Sequence, residues 1–135
     1  SPDLTFWGKS RPLTYKGEPF QDGHKMGAGA VPIKTEKGWL EIYHTVSTTC
    51  NGFIYRLKAC LLDLKDPSRV TGFTEDFILW PEYEYEMKGR VMNVVFTCNA
   101  IPEDDGTVKI YYGAADTNIG LAEGNLDDII NACIE

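Results

Sequence analysis

A six-residue pattern occurs twice in this chain and limits its fold more than any other feature. Gly38-Trp39-Leu40-Glu41-Ile42-Tyr43 and Gly106-Thr107-Val108-Lys109-Ile110-Tyr111 share a turn glycine followed by apolar, charged, apolar and aromatic positions, and residue 106 lies 68 positions after residue 38. Each copy is followed by a second strand-like run and by Asp-rich polar residues. Repeated antiparallel units of this size are typical of β-propeller blades, and a closed ring needs about four of them.

Two such units leave open flanks, which allows three explanations. The missing blades lie on sequence outside this chain, several chains complete the ring, or the repeat is a coincidence within a β-sandwich. We favour the first explanation. The chain also opens without a Met, as expected of a cleaved product or a fragment.

Apolar alternation and turn signals predict a mostly antiparallel, all-β fold. The predicted strands are 29–35, 39–46, 53–64, 77–80, 91–100, 107–115 and 119–122. Only the end predicts a helix, at about 125–134, because Asn125 suits an N-cap and Asp127 and Asp128 suit the first turn. We therefore predict a single partial β-propeller domain over residues 1–135, with blade-like units at about 20–75 and 76–124.

Composition argues against several classes of partner. The chain has 135 residues, the length of one domain, and a net charge of −7, which disfavours nucleic acid and anionic membranes. No run of about eighteen apolar residues predicts a transmembrane helix. The four cysteines lack zinc-finger spacing, and Cys60 and Cys98 fall in apolar runs where buried, reduced thiols are expected. A cytoplasmic setting is predicted.

Residues 23–44 have the composition of a binding site. Gly27 and Gly29 let a backbone or a ligand approach closely, and Lys25 and His44 are a cation and an imidazole that suit an anionic oxygen. The structural alternative is that the glycines lie where two sheets pass closely, while Lys25 is solvated and His44 ends a strand. Spacing alone favours that alternative.

Six motifs occur in a specific order along the chain. Three of them are Lys25-Met26-Gly27-Ala28-Gly29-Ala30-Val31-Pro32-Ile33-Lys34-Thr35, Gly38-Trp39-Leu40-Glu41-Ile42-Tyr43-His44 and Tyr111-Tyr112-Gly113-Ala114-Ala115-Asp116-Thr117, and the others lie at 55–57, 61–68 and 93–96. Together they resemble glycoside hydrolase family 130, the β-mannoside phosphorylases and related mannosidases. The resemblance covers nearly all of this chain but only the C-terminal portion of a family member.

The resemblance implies a five-bladed β-propeller with its active site at the central axis. It also implies that inorganic phosphate, as co-substrate, cleaves a β-mannosidic bond with inversion and releases α-mannose 1-phosphate and a shortened saccharide. No metal and no organic cofactor are implied.

The same resemblance assigns roles to three residues. Lys25 would contact phosphate or the acceptor-side sugar, His44 would contact phosphate, and Asp116 would accept hydrogen bonds from sugar hydroxyls. Without the resemblance, a turn Asp is as good an interpretation of Asp116, and Asn93 is better explained as a strand-start cap. No residue here matches the family's general acid, an aspartate of the N-terminal blades. A missing N-terminal half or a homo-oligomer would have to supply it, and we do not expect the chain alone to turn over substrate.

The chain departs from the family pattern at several positions. Gln21-Asp22-Gly23-His24 stands where Trp-Asp-Ser-Thr is common, Thr45 stands where glycine often follows the histidine, and Lys58 replaces a small residue. These changes could alter substrate choice, but they do not remove Lys25 or His44. The acidic run 82–86 is predicted to be mostly a solvated rim.

Two other functions stay open. One is a hydrolytic β-mannosidase of the same family, which would release free mannose without phosphate. The other is a non-catalytic half-propeller that binds carbohydrate or pairs with copies of itself, because open blade edges favour association.

Overall fold

The computed structural model describes residues 1, 3–8 and 10–134, which form ten strands and two helices. The strands are β1 Thr14–Tyr15, β2 Glu18–Pro19, β3 Lys25–Ala28, β4 Ile33–Lys34, β5 Trp39–Thr49, β6 Gly52–Leu62, β7 Arg69–Phe73, β8 Val95–Pro102, β9 Thr107–Ala114 and β10 Asn118–Asn125. The helices are α1 Glu84–Met87 and α2 Leu126–Ala132. The all-β prediction with a short C-terminal helix is confirmed. Neither helix in these ranges is long and apolar enough to span a bilayer.

The larger sheet is built on one long hairpin. Strands β5 and β6 pair antiparallel from Trp39 with Leu62 to Thr49 with Gly52. Around this hairpin the order is β2-β1-β7-β6-β5-β3, and β4 pairs with the first residues of β5. Strand β1 runs parallel to β7, unlike the other pairs of this sheet. Strand β3 therefore forms one edge of the sheet.

The smaller sheet has three antiparallel strands in the order β10-β9-β8. It ends directly in α2, where the Asn125 side chain accepts hydrogen bonds from the backbone N–H groups of Asp127 and Asp128. This is the predicted N-cap. The units at about 20–75 and 76–124 stay a prediction.

The core lies between the two sheets. Alternate residues of β5 and β6 face alternate residues of β8 and β9, and α2 closes one end. The residues of this cluster that are at most 2% exposed are Leu40, Ile42, Leu57, Ala59, Leu61, Val95, Val108 and Ala114. A second cluster on the other face of the larger sheet joins Tyr43, Cys60, Leu62 and Val70.

Some predicted elements differ from the observed ones. Of the predicted strand 29–35 only Ile33–Lys34 is a strand, as β4, because Pro32 lacks a backbone N–H for the ladder and Val31 is exposed. The predicted strand 77–80 makes only an isolated bridge between Leu79 and Leu57. Four strands, β1, β2, β3 and β7, and helix α1 were not predicted, because they are short and depend on contacts with other segments.

The prediction of two buried thiols is half right. Cys60 is buried, but Cys98 is exposed because the β8–β9 register shifts between Thr97 and Asn99 and breaks the simple alternation. Cys133, on the last turn of the chain, is buried instead.

Candidate functional site

Lys25 and His44 lie on neighbouring strands and on the same face of the larger sheet. Lys25 pairs with Val46 and Gly27 pairs with His44, so the two residues are two positions apart along the β3–β5 ladder. Because strand side chains alternate between faces, Lys25, His44 and Val46 belong to one face. The structure therefore brings together the two residues that the sequence proposed as a pair.

Both side chains lie near the ring of Tyr55, which is on β6. The Lys25 ammonium nitrogen is 5.5 Å from the centre of the Tyr55 ring, and the His44 ring centre is 5.9 Å from the same ring. The His44 ring also packs on Phe96 from the smaller sheet, at 4.5 Å between ring centres. We call Lys25, His44, Tyr55 and Phe96 the edge cluster.

Gly27 is required by the position of the His44 ring. A Cβ atom built at Gly27 would lie 2.6 Å from His44 Cε1 and 2.9 Å from Nε2, closer than real side chains come. The imidazole therefore lies directly over the backbone of β3. Gly29 is similarly confined, since its Cβ would lie 2.6 Å from the Thr97 Cβ. The glycines serve close packing, as the structural alternative held, and that packing holds the histidine in place.

His44 is buried yet incompletely hydrogen-bonded. His44 is 8% exposed, and its Nδ1 atom has no hydrogen-bond partner within the part of the chain that the structure describes. Burial lowers the pKa of this imidazole, and the charge of Lys25 lowers the pKa further. At neutral pH the ring is therefore neutral, with one nitrogen able to donate and one able to accept. An unpaired buried nitrogen is costly, so a ligand that satisfied it would be favoured.

Asp116 is in the turn between β9 and β10. It is exposed, and both it and Ala115 have positive φ angles, 57° and 47°. Among residues 1, 3–8 and 10–134, no hydrogen bond or ion pair holds its carboxylate. The turn itself is well fixed, because the Ala115 carbonyl accepts from Val91 N–H and the Ala115 N–H donates to Val94. Within the described part of the chain, Asp116 is thus an unpaired carboxylate on a fixed turn.

Asn93 connects this turn region to the edge cluster. Its φ angle is 57°, and its carbonyl accepts the backbone N–H of Tyr55 at 3.0 Å. The next residue, Val94, forms a bridge with Tyr55 and receives the Ala115 N–H. The segment therefore ties Tyr55 to the turn of Asp116 through backbone contacts.

The acidic run 82–86 is not uniformly solvated. Glu86 is 1% exposed and accepts hydrogen bonds from the backbone N–H groups of Glu82 and Tyr83 and, at 2.6 Å, from the Tyr112 hydroxyl. Burial alone would raise the pKa of Glu86, but these hydrogen bonds outweigh it and lower the pKa. The prediction of a solvated rim is wrong for Glu86, which closes the α1 loop onto β9.

Sequence reasoning missed Tyr55 and Phe96 as members of the site. Tyr55 occurs in the motif at 55–57 and Phe96 in the motif at 93–96, so motif membership was the available signal. Their position depends on how two separate sheets meet, which a linear pattern does not contain.

Glu41 is a second buried carboxyl near the site, on the opposite face from His44. Its Oε1 accepts the Gly29 N–H at 3.3 Å, and burial raises its pKa to about 7. It lines a cavity of about 220 Å³ with Leu13, Met26 and Cys60 among others. Within the described ranges, no group of three or more His, Cys, Asp or Glu side chains could hold a metal ion.

The fold is part of a five-bladed β-propeller. A solved Beta-1,2-mannobiose phosphorylase from Listeria innocua, in complex with beta-1,2-mannobiose, matches with a TM-score of 0.73 at 41% identity, over 81% of this chain and 30% of that chain. The family described as beta-1,4-mannooligosaccharide phosphorylase matches residues 1–135. The chain belongs to this family, glycoside hydrolase family 130.

Two further relatives are similar over most of the chain. Beta-1,4-mannooligosaccharide phosphorylase of Ruminococcus albus is 39% identical over 132 residues, which are 97% of this chain and 39% of that protein. Beta-1,2-mannobiose phosphorylase of Thermoanaerobacter sp. is 50% identical over 101 residues, which are 75% of this chain and 32% of that protein. The chain thus spans well under half the length of these relatives.

Proposed function

We propose that this chain supplies the phosphate-binding part of a β-mannoside phosphorylase site, with Lys25 and His44 as the phosphate ligands. One observation carries the proposal: the Lys25 ammonium and the buried His44 imidazole flank the same tyrosine ring, and His44 Nδ1 lacks a partner in the described structure. The names of the relatives support the substrate class, a β-mannoside oligosaccharide with inorganic phosphate as co-substrate.

The chemistry of the pair suits an oxyanion. The ammonium would neutralise part of the phosphate charge, and the imidazole would donate a charge-assisted hydrogen bond to a phosphate oxygen. Binding a dianion beside His44 would favour the protonated ring and so oppose the lowering of its pKa by burial and Lys25. Holding phosphate in a fixed orientation next to the anomeric carbon would contribute to the rate by positioning.

The remaining parts of the reaction complete the proposal. Asp116 would accept hydrogen bonds from sugar hydroxyls, and Lys25 would also reach the acceptor-side sugar. The general acid that protonates the leaving oxygen would come from residues outside this chain, in a longer polypeptide or an assembly of chains. The products would be α-mannose 1-phosphate and a shortened saccharide, with no metal or organic cofactor.

Phosphate binding to the chain tests the proposal directly. The chain has two histidines, His24 and His44, so their Cε1–H resonances are resolvable by NMR, and His24→Gln assigns them. Inorganic phosphate should shift the His44 resonance and raise its pKa. Loss of one charged hydrogen-bonding partner costs about 1.5 to 3 kcal/mol, so Lys25→Met should weaken phosphate binding roughly tenfold or more.

Lys34→Met is the matched control. Lys34 is also an exposed lysine over an aromatic ring, with its ammonium 5.8 Å from the Trp39 ring centre, but it lies on β4, away from His44. Its loss should leave phosphate affinity unchanged. The proposal fails if phosphate does not affect His44, or if Lys34→Met and Lys25→Met weaken binding equally.

Product analysis distinguishes phosphorolysis from hydrolysis. A longer polypeptide or an assembly that contains this chain together with the general acid is incubated with β-mannobiose, with and without phosphate. Mannose 1-phosphate that forms only with phosphate supports the phosphorylase. Free mannose formed without phosphate contradicts it and supports the hydrolytic alternative.

A further inference from the structure

Asp22, three residues before Lys25, is held by two side chains of the larger sheet. Its Oδ2 atom accepts the Tyr43 hydroxyl hydrogen bond at 2.6 Å and lies 3.2 Å from the Lys58 ammonium nitrogen. The side chains of Asp22 and Lys58 are only 21% and 7% exposed. The same ammonium lies 5.9 Å and 5.6 Å from the ring centres of Phe73 and Phe77. The ion pair is therefore shielded from solvent. Charge interactions at such partly buried positions are stronger than at the surface.

The backbone of the same segment is also fixed. The Asp22 carbonyl accepts the Thr45 hydroxyl at 2.7 Å, and the His24 N–H donates to the Val46 carbonyl at 2.9 Å. Between them Gly23 has a φ angle of +79°, and a Cβ there would collide with the Thr45 hydroxyl oxygen. The chain therefore enters β3 along a single path, set by contacts to β5 and β6.

Three residues that are far apart in the sequence meet at this point. Thr45 and Lys58 contact Asp22, and Gly23 lies against the Thr45 hydroxyl that holds the Asp22 carbonyl. They are scattered in sequence, so their convergence is visible only in the fold. We call Asp22, Tyr43, Thr45 and Lys58 the Asp22 anchor.

The anchor lies on the opposite face of the sheet from the edge cluster. Tyr43 and Thr45 flank His44 in β5, and alternation places their side chains on the face away from the imidazole. The Asp22 carboxylate therefore acts through the backbone of residues 22–25, without touching an anion held by Lys25 and His44.

We propose that Asp22 is a positioning residue: through its bonds to Tyr43, Thr45 and Lys58 it fixes the backbone before β3 so that the Lys25 ammonium stays over Tyr55 and beside His44. The inference rests on the proposed function for its role in phosphate binding, but the positioning itself does not depend on phosphate. Thr45 and Lys58 then have the same role: by holding Asp22 they keep the Lys25 ammonium in place and so set the affinity for phosphate.

The pKa of His44, measured by NMR without phosphate, reports whether Lys25 is held near it. Lys25→Met should raise this pKa, because the Lys25 charge lowers it in the native chain. Asp22→Asn should raise it by roughly half as much or more, because the lysine is released. Direct loss of the Asp22 negative charge would instead lower the His44 pKa, so the sign of the shift separates release of Lys25 from a simple charge effect.

Thr45→Val serves as a second variant and Lys109→Met as a matched control. Thr45→Val keeps the side-chain volume but removes the hydroxyl that holds the Asp22 carbonyl, and it should also raise the His44 pKa, so the test does not depend on the folding of Asp22→Asn. Lys109→Met breaks another lysine–carboxylate pair, 3.0 Å from Glu103 on the smaller sheet, and should leave the His44 pKa unchanged.

Phosphate titration of the same variants separates the two proposals. Weaker phosphate binding in Asp22→Asn, by roughly threefold or more, together with a raised His44 pKa supports positioning. An unchanged or lowered His44 pKa in both Asp22→Asn and Thr45→Val overturns it, even where the native chain binds phosphate. A raised pKa in a chain that never binds phosphate supports the positioning of Lys25 and contradicts the proposed function instead.

Discussion

The two copies of the repeated pattern begin alike and end in different surroundings. In both, a glycine with positive φ precedes a strand, Gly38 at 154° before β5 and Gly106 at 87° before β9. The inward positions correspond, because Leu40 and Ile42 of one copy and Val108 and Ile110 of the other belong to the same buried cluster. On this face the repeat produces two halves of one core.

The outward positions of the two copies differ sharply. Glu41 and Tyr43 are both buried, and Tyr43 packs on Phe20 and bonds Asp22. In contrast, Tyr111 is 36% exposed and Lys109 pairs with Glu103 at the surface. Strand β5 is covered on both faces and β9 on one. The same local sequence pattern therefore places a carboxyl in the interior in one copy and an ammonium near solvent in the other.

The residue that follows each copy shows the consequence for function. Tyr112 is buried with its hydroxyl bonded to Glu86, while His44 is buried with Nδ1 unpaired in the described ranges. A satisfied tyrosine is a structural element of the core. An unsatisfied imidazole beside a lysine has capacity left for a ligand.

The largest effect should come from the inward positions, where the copies are equivalent. Ile42→Ala and Ile110→Ala should each lower the free energy of unfolding by about 2 to 5 kcal/mol, through lost burial and the cavity left behind. Chemical denaturation of both variants measures this. A cost below about 1 kcal/mol for either one would mean that the two strands do not share a core in solution.

The charged positions should differ in their response to pH. Burial raises the pKa of Glu41 to about 7, so the folded chain keeps a proton that the unfolded chain loses above its ordinary value of 4.5. The stability linked to this proton is complete below about pH 4.5 and is lost as the pH rises through about 7. Near pH 8, Glu41→Gln should therefore raise the free energy of unfolding above that of the native chain by up to about 3 kcal/mol. Near pH 4 it should not change the free energy of unfolding.

Lys109→Gln is the control for the charged positions. Lys109 is at the corresponding position of the second copy, near solvent, and its substitution should show no such dependence between about pH 4 and pH 8. Thermal or denaturant unfolding at several pH values gives both curves. A flat difference between Glu41→Gln and the native chain would show that Glu41 is solvated.

The smallest of these effects should appear at the aromatic positions. Tyr43→Phe removes a hydrogen bond to the Asp22 carboxylate and should cost about 1.5 to 3 kcal/mol, the range for bonds to charged groups. Tyr111→Phe removes an exposed hydroxyl and should stay within about 0.5 kcal/mol. Equal costs in denaturation experiments would remove the distinction between a strand covered on both faces and a strand covered on one.

Part of this molecule was predictable from neighbouring residues alone. The hairpin strands β5, β6 and β9 follow from alternation between turn residues, and α2 follows from Asn125 and the acids of its first turn. The family motifs correctly predicted the propeller. Short elements such as β1, β2 and α1 were missed, because two to four residues carry too little pattern and are stabilised by distant partners.

The site was predictable in its residue types but not in its geometry. Lys25 and His44 could be named from motifs, whereas Tyr55, Phe96 and the Asp22 anchor could not. Contacts of this kind depend on strand register and on how one sheet packs against another. A change of one position in register would move each side chain to the opposite face.

By itself, the sequence determined the strand pattern, the capped final helix and the family, because these depend on spacing along the chain and on local backbone preferences. The tertiary structure alone decided which face of each strand is covered, which carboxyls are buried and which imidazole nitrogen has no partner among the described residues. The physical reason is that burial and hydrogen bonding are set by residues far apart in sequence, whose proximity exists only after the two sheets have packed.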